Sequence, residues 1–276
     1  MLIANLRCAR TALGLLVFAG LVLGWLLPSG SCAEDVPPKD AAKRHVLINA
    51  ASQVLKAKDS WAAVEYLCGQ EDSLAATEAC GDLMHLFYEQ RKDLRLAITF
   101  GRAGVQLGLT SAIQADGKNP ASARELREEA WALCYDLASF TWPGWAEPGI
   151  TITGADLALG MDAARANLRL TKVLKKGDLQ QSRACWMIGA QYLAAGKLTE
   201  ARATFAAAAS HAAAAKEKAD ELMNIGYERL VDVLAAKGDA GPRQKLEACK
   251  KQLKAVPDGA FFADQIDTAL RVFLKD

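Results

Sequence analysis

Acid–base, nucleophilic or metal chemistry needs particular side chains at particular spacings, and this chain supplies few. Its three histidines, His45, His85 and His211, stand in separate segments without a cysteine or carboxylate at a metal-ligand spacing. Each therefore reads as a packed or surface imidazole. Of seven cysteines, Cys68, Cys80, Cys134, Cys185 and Cys249 lie beyond residue 33, an odd set without C-x-x-C spacing. Such spacing reads as apolar thiols buried in helices. If any two bridge, Cys68 and Cys80 are placed for it, on either side of the short connection 69–73. No G-x-S-x-G, H-E-x-x-H, P-loop or G-x-G-x-x-G occurs. Glu125, Glu128 and Glu129 interleave with Arg124 and Arg127 as on a solvated helix face. No catalytic or metal-binding residue is assigned, and no cofactor is expected.

The most unusual passage is Phe140-Thr141-Trp142-Pro143-Gly144-Trp145-Ala146-Glu147-Pro148-Gly149. Two tryptophans on a loop stiffened by proline admit two readings. Trp142 and Trp145 form a contact site, since tryptophan is enriched among binding hot spots. Alternatively they fold back and plug the end of a helical hairpin, because exposed tryptophan is costly. A third use, as the lid of a small-molecule-binding module or enzyme, belongs to a rival reading of the whole chain.

The elements that must position these residues are helices. From Asp40 onward apolar residues recur at three- and four-residue steps, and only Ile150-Thr151-Ile152-Thr153 alternates. Gly69, Gly117, Gly177, Gly196 and Gly238 fall where a left-handed residue would end a helix. Asn119-Pro120 marks a start, and Ser122 with Glu125, Thr153 with Asp156 and Asp178 with Gln181 fit capping boxes. About eleven helices joined by short turns are predicted, with neighbours antiparallel. The run 209–216 contains no Gly or Pro to break it.

The hairpins repeat. Lys58-Asp59-Ser60-Trp61-Ala62-Ala63-Val64 returns as Lys92-Asp93-Leu94-Arg95-Leu96-Ala97-Ile98, with Ala63 and Ala97 34 residues apart. Gly196-Lys197-Leu198-Thr199-Glu200-Ala201-Arg202 is a third copy, 104 residues beyond the second. In 182–216, Cys185, Ile188, Gly189 and Tyr192 precede Ala201, Phe205 and Ala208. That order, and the period, resemble the tetratricopeptide repeat, strongest over residues 182–210. Elsewhere the fit is looser: His85 stands where a small residue is expected and Gly101 where an aromatic is. One enlarged unit, with helices near 120–140 and 154–175, fills the stretch between Ser111 and Ser182.

The resemblance implies an all-α chain, a right-handed α-solenoid of antiparallel helix pairs. The C-terminal helix, with Phe262, Ile266, Leu270 and Phe273 on one stripe, would cap it. It also implies a concave groove lined by first helices: Asp82, Leu86 and Glu89 in one unit, Arg183, Trp186 and Ala190 in another. A protein or peptide is the expected occupant. The Lys/Asn clamp by which some family members grip a terminal carboxylate has Asp82 and Glu89 at its positions, which disfavours that ligand.

Arg7 and Arg10 precede the uncharged stretch 11–27, then Pro28-Ser29-Gly30 and the small residues Ser31-Cys32-Ala33. The pattern predicts a signal peptide cleaved before Glu34, and so a periplasmic or secreted protein. An uncleaved anchor is the alternative, and the only route to a membrane. The expected organisation is a signal peptide over 1–33, a linker over 34–41 and a repeat domain over 42–276, with an insertion near 141–153. Beyond residue 33 there are 31 bases and 32 acids, without the basic stripe that nucleic acid would require.

Overall fold

A computed structural model describes residues 39–274, Lys237 excepted; the expected signal peptide and its cleavage point lie outside them. Among the described residues the chain is all-α, with eleven helices and no strand. They are α1 (Lys39–Ala57), α2 (Ser60–Cys68), α3 (Ser73–His85), α4 (Leu94–Ala115), α5 (Pro120–Phe140), α6 (Gly154–Val173), α7 (Asp178–Ala194), α8 (Leu198–Ala214), α9 (Lys218–Ala235), α10 (Ala240–Lys254) and α11 (Gly259–Phe273). A π-helical turn, Leu86–Gln90, prolongs α3, and a 3-10 turn, Pro143–Trp145, lies within the insertion. Between Ser111, in α4, and Ser182, in α7, lie the two helices α5 and α6.

Short polar side chains start several of these helices by accepting first-turn amides that have no carbonyl partner. Asp59, Asp72, Asp93, Asn119 and Thr153 do so for α2, α3, α4, α5 and α6. Thr153 and Asp156 form the expected capping box, which absorbs the one alternating segment into the start of α6. Two other expected boxes are corrected. Asn119, not Ser122, caps α5, accepting from the Ser122 amide at 3.2 Å. Gly177 occupies the cap of α7, leaving Asp178 in the first turn.

Gly117, Gly196 and Gly238 are left-handed as expected. Gly69, at φ −82°, and Gly177, at φ −68°, are not. In the α6–α7 turn the left-handed residue is Lys175, and in the α8–α9 turn Lys216. Lys216 breaks the alanine-rich run that the sequence left without punctuation. A left-handed lysine is strained, and it is held there by the two helices that dock on either side.

Each helix packs against the next along the chain, and α1, α3, α5, α7, α9 and α11 also pack each against its successor in that series. The result is a helical repeat-like architecture with these first helices in one layer and α2, α4, α6, α8 and α10 outside it. Ala63, Ala97 and Ala201 occupy one equivalent place: the fourth residue of α2, α4 and α8, buried, donating its amide to the capping residue's carbonyl. Gly101, the expected aromatic, is explained by α4 itself. A β-carbon there or at Gly104 would collide with Met84 and Cys80 of α3 and with Leu137 and Leu133 of α5. Three helices meet at nearly backbone distance, and no ring fits between them.

Candidate functional site

The expected groove-lining residues do lie on the first helices, where most of their charge is spent between helices. Arg44 of α1 reaches Glu78 at 3.2 Å and Asp82 at 2.7 Å on α3. His85 bridges α3 to α5: its Nε2 meets Asp136 at 3.0 Å while Nδ1 meets Glu89 at 2.9 Å. Both ring nitrogens face carboxylates, so the doubly protonated ring is the form that donates to both. Leu86 and Glu89 sit on the π turn, Leu86 half-buried and Glu89 exposed. Arg183 of α7 pairs at 3.1 Å with the buried Asp220 of α9. These contacts stitch consecutive units together and leave little unbalanced charge on the inner face.

On the C-terminal half the inner face is covered by the chain itself. Trp186, expected to line an open groove, is only 2% exposed. Trp142 from the insertion lies over it at a ring separation of 5.6 Å, with Tyr227 of α9 and Phe273 of α11 at 6.1 and 6.0 Å. Trp142 is 1% exposed and Trp145 half-buried, its indole donating to the Ser139 carbonyl at 3.0 Å. The loop folds back onto the chain, with Trp142 packed on α7, α9 and α11 and not at the end of the α5–α6 hairpin. Gly144 is required there because the Trp142 ring lies directly over it. At its far side Glu147 takes an ion pair from Lys92. The indole N–H groups of Trp142 and Trp186 and the hydroxyl of Tyr227 are buried without a hydrogen-bond partner among the described residues. A cleft of about 550 Å³ opens between Trp145, Ala146 and the Thr268, Arg271 and Val272 face of α11, with Arg271 its one titratable side chain.

The larger depression is on the outer face, where the sequence reading did not look. α4 and α6 flank α5 and leave between them a groove of about 630 Å³, floored by Cys134 and Leu137. Ile98, Arg102, Val105 and Gln106 form one wall, and Ala155, Leu159, Asp162 and Ala166 are among the residues of the other. Both walls follow a single helix stripe. Ile113 continues the α4 stripe and Val173 the α6 stripe, and these are 70% and 57% exposed. The apolar spacing of both stripes was visible in the sequence; that no neighbour covers them was not.

Burial pushes the thiols of Cys80 and Cys134 up to about 12. Cys68 and Cys80 are both free, the first exposed and the second buried. Among the described residues no histidine, cysteine and carboxylate groups cluster as metal ligands, and no helix is long and apolar enough to cross a membrane. Comparison of the chain with protein-family models, curated proteins and solved structures finds no match.

Proposed function

We propose that this is an exported, non-catalytic scaffold that binds a protein or peptide, built as a right-handed α-solenoid of tetratricopeptide-like helix pairs with α11 as its cap. The observation that carries the reading is the equivalence of Ala63, Ala97 and Ala201: small residues at one register let successive hairpins nest. Arrays of that kind present extended surfaces, and here the titratable groups of the inner face are engaged in ion pairs between helices. With Trp186 covered by the insertion, the inner surface left for a partner is the α1–α3 side, at Asp82, Leu86 and Glu89.

Full-length protein expressed with its N-terminus intact tests both parts. Its mature mass should correspond to a start at Glu34, and affinity capture from periplasmic or secreted material should retain a stoichiometric protein. An intact N-terminus would replace export by anchoring. Capture of no protein, together with a metabolite that stabilises the chain through the Trp145–Arg271 cleft, would favour the small-molecule alternative, for which that cleft is the supporting observation.

A further inference from the structure

On the side of the inner face left to a partner, one histidine is held between two unequal carboxylates. His85 closes α3 where the π-helical turn Leu86–Gln90 begins. Its ring meets Glu89 of that turn through Nδ1 at 2.9 Å and Asp136 of α5 through Nε2 at 3.0 Å. Phe140 of α5 packs edge-to-face with the ring at 5.0 Å, and Tyr88 stacks on Phe140 at 3.8 Å. This packing fixes the imidazole, so a proton can leave while the ring stays in place.

The two carboxylates differ in their access to water. The side chain of Glu89 is 58% exposed and that of Asp136 only 6%. A doubly protonated ring donates to both. A neutral ring has one N–H and one lone pair, and the lone pair repels the carboxylate that it faces. Leaving Asp136 without its donor would strand a buried charge, whereas Glu89 can turn to water. The neutral ring therefore keeps its proton on Nε2, and Glu89 is the group released.

The charges around the ring are otherwise engaged. Glu78 and Asp82 of α3 pair with Arg44 of α1. Tyr88 feels Glu89 and Glu147, the latter paired with Lys92. Arg183 of α7 and Asp220 of α9 pair with each other and, with Asp136, act on the buried Tyr135 of α5. On the α4 side Gly101, not a charge, meets Met84. Burial holds both tyrosine hydroxyls above their ordinary range, so neither ionises where an imidazole does.

Resting on the scaffold reading, which gives this surface to a partner, we infer that His85 is a proton-operated clasp that sets the charge the partner meets. Protonated, it holds Glu89 and Asp136 together and offsets their charge. Neutral, it keeps Asp136 and frees the Glu89 carboxylate for a lysine or arginine of the partner.

Long-range proton–nitrogen correlation spectra of the full chain read the ring directly, with His85 identified by the signals missing from His85→Gln. The titration runs from about pH 5 to about pH 9, which brackets the ordinary imidazole value of about 6.5. Both ring nitrogens should carry protons at the acid end, and Nε2 alone at the alkaline end. A neutral ring protonated on Nδ1, or a ring that loses no proton over that span, overturns the clasp.

Affinity capture from periplasmic or secreted material at about pH 6 and about pH 8, on either side of that value, reads the consequence. The chain should retain its partner about threefold better at the higher pH, the size expected of one exposed ion pair. His85→Gln, whose amide can donate to Asp136 without titrating, should remove the difference. Glu89→Gln, at an exposed position, should bring retention at the higher pH down to that at the lower. Equal retention by wild type, or a pH dependence that survives in His85→Gln, overturns the regulatory role and leaves the scaffold standing. Retention of no protein at either pH overturns the scaffold reading and the role built on it, while the ring spectra still decide the clasp.

Discussion

The ring of Phe205 lies so close over Gly189 that a β-carbon there would fall 2.8 Å from its edge atoms. The same ring stacks on Tyr227 of the next hairpin at 5.2 Å. One aromatic side chain therefore sets both the spacing within a helix pair and the spacing to the following pair.

Gly189→Ala forces that ring to move, and a buried ring between two helices has nowhere to go. The gain of about 1 kcal/mol in helix propensity is outweighed by an overpacking cost of about 1–3 kcal/mol. Ala201→Leu adds bulk at a fully buried position of the second helix and is overpacked in the same way. Both variants should unfold at lower urea concentration than wild type. An unchanged midpoint would show that the hairpin spacing is not set here.

Trp142 is, with Trp186, one of the two largest fully buried side chains among the described residues and joins the insertion to α7, α9 and α11. Trp142→Ala should cost about 3–5 kcal/mol, the range for a buried aromatic deleted to a cavity. Trp142→Phe keeps a six-membered aromatic ring, losing the fused pyrrole ring and with it an indole N–H that has no partner, so its cost should be well under half of that. Near-ultraviolet circular dichroism and urea titration of the two variants check the ratio. Equal losses would mean that the indole N–H is satisfied in solution.

Arg183→Met leaves Asp220 buried beside α7 without its cation. The expected loss is about 3 kcal/mol, because an unpaired carboxylate stays where water cannot reach it. Arg183→Lys should recover part of it, having the charge without the planar fork. The double variant Arg183→Met/Asp220→Leu should be more stable than Arg183→Met alone. Thermal unfolding of all three decides the matter.

Buried thiols hold their protons more tightly in the folded chain than in the unfolded one. Cys80 and Cys134 titrate near 12 when folded, against an ordinary value of 9.0. The sign follows: their contribution is complete below about pH 9 and is lost as the pH rises toward 12. Urea midpoints should fall as the pH rises from about 9 toward 12, less steeply in Cys80→Ala/Cys134→Ala. In native protein a maleimide should modify Cys68 long before either of them, and the reverse order would contradict the burial.

Much of the scaffold was legible because it is local. The return of residues 58–64 as 92–98 announces the hairpins, and Asp59 and Asp93 within it prove to cap α2 and α4. Turn chemistry was read less well: Lys175 and Lys216 take left-handed backbone positions that favour glycine. Docking of the flanking helices overrides a single residue's preference. Gly101 looked like a departure from the repeat until α3 and α5 were seen pressing on α4 from both sides.

The candidate sites divide differently. The sequence named Trp142, Trp145 and Trp186 separately, as a loop contact and as groove lining; the fold puts all three in one aromatic cluster. Sequence by itself determined the helices, their stride and the small residues that let them nest, since these follow from spacing along the chain. Only the tertiary structure decided that the inner face is filled over α7 and α9 while the trough between α4 and α6 lies bare. Which face of a helix meets another segment and which meets water depends on residues far away in the chain, and no local pattern encodes it.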